Sequence, residues 1–571
     1  MKNVLKTFAM LILLSANLCL AQSQMLLPSV LSGDSININL QEGFHQFYSG
    51  INTHTMGANG SILGPTVILK QGDLVNFAVE NNLPDTTTIH WHGLHVAPSN
   101  DGGPHTYIIP GSTWHPSFTI LDKAATYWYH PHLHHKTDNH VSKGIAGMII
   151  VQDNEEAALN LPRTYGVDDL PIVMQTKGFD NNKEILVHTN TDNVAMVNAT
   201  IDAYYDVPAQ VIRLRLLNGS SQRAFNVGLS DDISFHQIAS DGGLLDKPVL
   251  LTRLLLSPGE RAEILINLTE KQGNTIYLKS FASEIPNGIY GATSPGMMSQ
   301  MTLTGYAPNP LNGTDFNLLK LNVKSPTSSA INTIPSTLVS NIRILENHAD
   351  ITRSLTLNPA TMGINQLNGG FQINNTSFDM DVVNYTVPLN NTEIWSIINN
   401  SAIAHPFHIH DVQFYILDRN GSLPNSNELG RKDVVLIKPQ ETVRFIAKFE
   451  NFADTAVPYM YHCHLLVHED GGMMGQFVVK NFAGTSGIQN PSLENKVIVY
   501  PNPSEGKFTL EIPSVVNVEN VSIYNIIGEL VYIKNIRENN LTFDVQLSPG
   551  VYQIMIKTTS EVITSRIQIN N

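Results

Sequence analysis

The stretch from Tyr461 to Met474 reads Y-H-C-H-L-L-V-H-E-D-G-G-M-M, and it constrains the chain more than any other. Side chains on an extended segment alternate between faces. His462 and His464 then face one way and Cys463 the other, so one segment can serve two metal centres. His468 follows Cys463 by five residues and Met473 by ten. A thiolate, imidazoles and a distant thioether form a soft donor set of the kind that holds copper for electron transfer. Zinc also takes cysteine and histidine, but in closed tetrahedral sites with more of them. A lone buried cysteine can also be only a small hydrophobe.

A chain of 571 residues exceeds a single core, and about four domains are expected. Its net charge of −15 argues against nucleic-acid or polybasic membrane partners. Residues 1–21 read as a signal peptide. Lys2 and Lys6 precede the apolar run Phe8–Leu14, and Cys19 and Ala21 precede Gln22 in a cleavage-like pattern. The apolar run is short for a membrane span, so no stable span is expected. Cleavage after Ala21 removes Cys19 and leaves Cys463 alone. An odd cysteine in an exported protein needs a special role, and metal ligation supplies one.

The first third has strand grammar. Val75, Phe77 and Val79 alternate with their neighbours, and Asn81-Asn82 ends the run. Then come His90-Trp91-His92-Gly93 and, later, His130-Pro131-His132 before the apolar strand Met148–Val151. Two histidines at i and i+2 on a strand share a face. The middle third repeats the pattern without ligands: Ile212, Leu214 and Leu216 alternate, and Phe225-Asn226-Val227 stands where the first third has His-Trp-His. Met297, Met298 and Met301 read as packing or loop residues. A linker rich in Asn, Pro, Ser and Thr is read over 307–340. The last third restores the ligands with His405-Pro406-Phe407-His408-Ile409-His410 and the stretch around Cys463. The chain thus reads as three related β-sandwich units, with donors in the first and third.

Together these motifs resemble the four copper signatures of the multicopper oxidases, over roughly Leu26 to Asn481. Asp101-Gly102-Gly103-Pro104 points to the branch of bacterial laccases, bilirubin oxidases and copper-efflux oxidases. The resemblance implies an all-β fold of three cupredoxin-like Greek-key sandwiches: 26–155 and 341–482 with copper ligands, and 156–306 without. It implies four copper ions per chain. His90 and His408 would hold the type 2 ion. His92, His130, His132, His410, His462 and His464 would hold the type 3 pair. Cys463, His405 and His468 would hold type 1 copper, with Met473 as weak axial ligand and Met474 as its rival. Cys463 and His468 would carry electrons, and Asp101 and Glu469 would deliver protons or merely orient imidazoles. No cofactor beyond copper is implied.

The implied reaction takes electrons singly from a small reductant and reduces O2 to water. The approach Asn400-Ser401-Ala402-Ile403-Ala404 lacks the acidic and methionine residues of the copper-efflux oxidase. That favours phenols meeting an exposed edge of His468 over metal ions such as cuprous ion as donors. His95, His105, His115, His134, His135 and His140 read as surface histidines. A polar linker over 483–494 leads to 495–571. There Tyr500-Pro501-Asn502-Pro503, the Gly528 region and Leu547-Ser548-Pro549-Gly550-Val551-Tyr552 resemble the type IX secretion sorting domain, a small β-sandwich. Its partner would be the type IX machinery, and the product would be secreted or held at the cell surface after passing the periplasm. A monomer is expected.

Overall fold

The structure, a computed structural model, describes residues 22–294, 296–297, 309–361, 370–482, 498–511, 518–525, 529–535, 540–558 and 562–570. The signal peptide, the 483–494 linker, Met298, Met301 and Gly528 lie outside the described residues. Two compact units divide between Asn481 and Phe482. The larger holds three cupredoxin-like β-sandwiches, and the smaller is a β-sandwich of its own.

In the first sandwich, one sheet runs Val30–Ser32, Thr66–Lys70, Gly147–Gln152, Ala125–His130, His90–His92. The facing sheet is built on Ile51–Ala58, Ser35–Tyr48 and Leu74–Asn81. Alternation decides what is inside: Val75, Phe77 and Val79 are buried while Asn76 and Glu80 are exposed. Each such side chain stabilises the core by roughly 1.5–3 kcal/mol. Trp91 and Tyr129 point into this core, which turns their histidine neighbours to the opposite face.

The third sandwich repeats the plan. One sheet runs Tyr385–Pro388, Met474–Lys480, Asp454–Cys463, His405–Ile409, Val434–Ile437. Phe407 and Cys463 sit opposite each other and face its core, so His408 and His462, also opposite each other, face outward. The second sandwich has a larger sheet through Asp169–Phe179, Val211–Asn218 and Arg261–Asn267.

The linker expected over 307–340 is corrected in part. Phe316–Lys324 is an interior strand of the second sandwich, paired on one side to Ala203–Pro208 and on the other to Thr275–Ser280. Leu319, Leu321 and Val323 fill its core, and that apolar alternation outweighs the polar residues around it. Ser23–Gln24 also joins this sandwich, pairing in parallel with Ala203–Tyr204.

The smaller unit packs Lys507–Glu511 and its neighbours against a sheet of Leu530–Asn535, Val518–Tyr524, Gly550–Thr558 and Val562–Ile569. Phe508, Ile523, Phe543, Ile554 and Ile567 form its core. No helix among the described residues is long and apolar enough to cross a membrane.

Candidate metal centre

Four strands and the residues just past their ends carry eight histidines to one place. In the first sandwich His130 lies directly across from His90, and Trp128 from His92. In the third, His408 lies across from His462. The two outward faces meet, and all eight imidazoles are buried. Their ring nitrogens form distinct groups. Nε2 of His132, His410 and His462 lie 3.2–3.4 Å from one another. His92, His130 and His464 form a second group, with His92 Nδ1 3.3 Å from His130 Nε2. His90 and His408 come together with His410 in a third.

Most of these rings are tethered at the nitrogen that faces away. His90 Nδ1 lies 2.9 Å from the Asp101 carbonyl, and His408 Nδ1 lies 2.8 Å from the Asp433 carbonyl. His130 Nδ1 reaches the Pro131 carbonyl at 2.8 Å. His410 Nδ1 is 2.7 Å from Asp101 Oδ2, and Glu469 lies 3.2 Å from Nδ1 of both His132 and His462. The inward Nε2 atoms of His90 and His408, and both nitrogens of His464, have no hydrogen-bond partner. Buried polar atoms are rarely left so, and a cation drawn to these lone pairs would satisfy them.

Burial disfavours the charged imidazolium. It pushes His92, His130, His132 and His408 well below their usual range, and His410 and His464 down to about 3. These groups therefore present neutral nitrogens, the form that binds metal. Burial opposes the charge of Asp101 and Glu469, but the histidines around them prevail and hold both carboxyls below the ordinary range.

On the core side of the same strand, Cys463 Sγ lies 3.4 Å from His405 Nδ1 and 3.7 Å from His468 Nδ1. Ser401 Oγ fixes the far nitrogen of His405 at 2.9 Å. Met473 is fully buried in the same core cluster, and its carbonyl accepts the Cys463 N–H. Met474 instead lies across from His462 on the adjoining strand, a packing position. Burial raises the Cys463 thiol and the Glu469 carboxylate adds to it, so a thiolate here calls for a cation beside it.

The geometry departs from the expectations in two ways. The edge of His468 is not exposed: the side chain is 1% exposed, and Phe371 lies against both His468 and His405, with ring centroids 4.5 and 4.8 Å away. The extra histidines are not uniformly superficial. His115 and His135 are exposed, but His140 is buried against Thr87. His95 is partly buried on Asp411 at 2.8 Å, His105 on Gln476 at 2.8 Å, and His134 against Phe378. Each lies where two elements pack, and burial follows from that packing rather than from residue type.

Three residues of the site carry no motif. Asp433 opens the strand Val434–Ile437 and puts its carboxylate 3.0 Å from His92 Nε2. Arg261, from the ligand-free second sandwich, holds that carboxylate with two N–H donors. Gly259, in the turn before Arg261, lies against His464: a Cβ there, at φ +84°, would stand 2.9 Å from the ring. Gly259 and Arg261 lie in the unit the sequence reads as ligand-free, so no local signal marks them.

Two multicopper oxidase family profiles match, one over residues 39–156 and another over 349–483, and that of the secretion system C-terminal sorting domain matches 498–570. A multicopper oxidase of Staphylococcus haemolyticus is 33% identical over 453 residues, covering 78% of this chain and 88% of that protein. The cell division protein FtsP of Proteus mirabilis is 31% identical, covering 78% of this chain and 90% of its own. Among solved structures, a laccase-like multicopper oxidase from Ochrobactrum sp. aligns with a TM-score of 0.69 and 32% identity, covering 80% of this chain and 100% of its own. The chain belongs to the multicopper oxidase family and carries a C-terminal secretion sorting domain.

Proposed function

We propose that the chain is an exported laccase-like oxidase with four copper ions. One observation carries this reading: every donor that three metal groups and a thiolate site require is present, buried and convergent. Cys463, His405, His468 and Met473 would hold type 1 copper. His90 and His408 would hold type 2, and the other six histidines the type 3 pair. Bound copper would supply one-electron acceptance at the thiolate and four-electron reduction of O2 to water at the cluster.

The chain's own residues do the rest. Cys463 links the two sites through its peptide neighbours, since His462 and His464 flank it. The burial of all ten histidines keeps bulk water from the donors. Asp101 and Glu469 each touch two ligand imidazoles and stand where protons are consumed. The sorting domain supports passage through the type IX machinery to the outside or the cell surface.

Two other readings stand beside this one. Oxidation of cuprous ion is favoured by Met297, whose backbone N–H donates to Ala402 in the loop before His405. That bond brings a thioether residue of the second sandwich beside the type 1 approach. A non-enzymatic envelope role is suggested by the relatives named for cell division, and the intact donor set weighs against it. Oxygen uptake by copper-loaded protein, with a phenol and then cuprous ion as donor, separates all three. Uptake with neither donor would remove both enzyme readings.

A further inference from the structure

Asp101 and Asp433 hold the histidine cluster in matching ways. The Asp101 carbonyl faces His90 Nδ1 at 2.9 Å and its carboxylate faces His410 Nδ1 at 2.7 Å. The Asp433 carbonyl faces His408 Nδ1 at 2.8 Å and its carboxylate faces His92 Nε2 at 3.0 Å. The rings they hold are stacked as pairs: His90 on His410 at 3.9 Å, and His408 on His92 at 3.8 Å. One aspartate thus braces two stacked imidazoles from opposite sandwiches, and the arrangement occurs twice.

The two differ in what neutralises them. Arg261 donates Nη1 to Asp433 Oδ1 at 2.6 Å and Nη2 to Oδ2 at 2.5 Å, a bidentate pair. The guanidinium is itself fixed on the carbonyls of Thr126, Gly259 and Asp241. Among the described residues no arginine or lysine pairs with Asp101. A Cβ on Gly93, at φ +89°, would stand 2.5 Å from Asp433 Oδ2 and 2.6 Å from Arg261 Nη2, so the histidine motif's glycine makes room for this pair.

We propose that Asp433 is a positioning residue: clamped by Arg261 of the ligand-free sandwich, it turns His92 so that Nδ1 faces His130 and His464. His92 is reversed relative to His90, His130 and His408, which are tethered through Nδ1. Among the described residues, Asp433 is the one hydrogen-bond partner of His92 Nε2. The proposal rests on the cluster binding copper.

The test uses the full chain, copper-loaded and challenged with a graded chelator. Copper per chain and the visible band of the thiolate site are both read. Asp433→Ala is expected to shed its non-blue copper about 10–100-fold more readily than the native protein, with the blue band retained. Asp433→Asn, which keeps an acceptor oxygen, is expected to fall between the two. Native-like retention in Asp433→Ala overturns the proposal, and so does loss of blue and non-blue copper in parallel. If Asp433→Ala does not fold, the same two readings on Asp433→Asn decide. A native protein that binds only the blue ion would instead refute the four-copper reading on which the proposal rests.

Discussion

Phe371 lies 4.5 Å from His468, centroid to centroid, with the two rings inclined by 36°. Phe371 is 2% exposed and also meets His405 at 4.8 Å, so one side chain covers both imidazoles of the thiolate site. Phe371→Ala should open that edge. We expect the kcat/KM of a bulky phenol to rise about tenfold, roughly 1.4 kcal/mol of barrier. A small inorganic reductant should change far less. Equal effects on both donors would mean that Phe371 does not gate access.

Cys463→Ser should remove the intense blue absorption and donor oxidation while leaving the cluster donors in place. His462 or His464 replaced by alanine should do the reverse, keeping the blue band and stopping oxygen consumption. The alternation along Asp454–Cys463 is the reason, since it separates the two sites onto opposite faces. A blue Cys463→Ser variant would contradict the assignment.

Gly93→Ala should lower both stability and copper content. Its φ of +89° is strained for any side chain, and the added methyl meets Asp433 and Arg261. Strain of this kind costs on the order of 1–3 kcal/mol. Thermal unfolding of the metal-free variant, followed by copper analysis, checks both effects. An unchanged melting temperature would remove the steric argument.

His140 gives a pH dependence away from the cluster. Burial holds its pKa down to about 4, against about 6.5 in an unfolded chain. The unfolded state therefore takes up a proton first as the solution is acidified. His140 costs nothing above about pH 6.5, and stability falls from there toward pH 4. His140→Gln keeps a polar partner for Thr87 but cannot titrate. Urea unfolding between about pH 7.5 and 4.5 should give a shallower slope for the variant, and parallel slopes would contradict the assignment.

Much of this was legible in the sequence because strand periodicity and ligand spacing are local. His90-Trp91-His92 and His462-Cys463-His464 announce their faces by alternation alone. Asp433 was not legible. It precedes the apolar run Val434–Ile437 and looks like any residue that opens a strand; only the fold brings it to His92, 341 positions away. Arg261 was hidden for the same reason. Phe316–Lys324 was missed because a stretch rich in Asn, Pro, Ser and Thr masked its alternating Leu319, Leu321 and Val323.

The parallel pairing of Ser23–Gln24 with Ala203–Tyr204 bears on the order of assembly. Ser23–Gln24 has its partner beyond the whole first sandwich, and that partner's other edge is Phe316–Lys324. Closing so wide a loop is slow compared with hairpin formation. Ser23–Gln24 is thus secured late, after the whole first sandwich has had time to form.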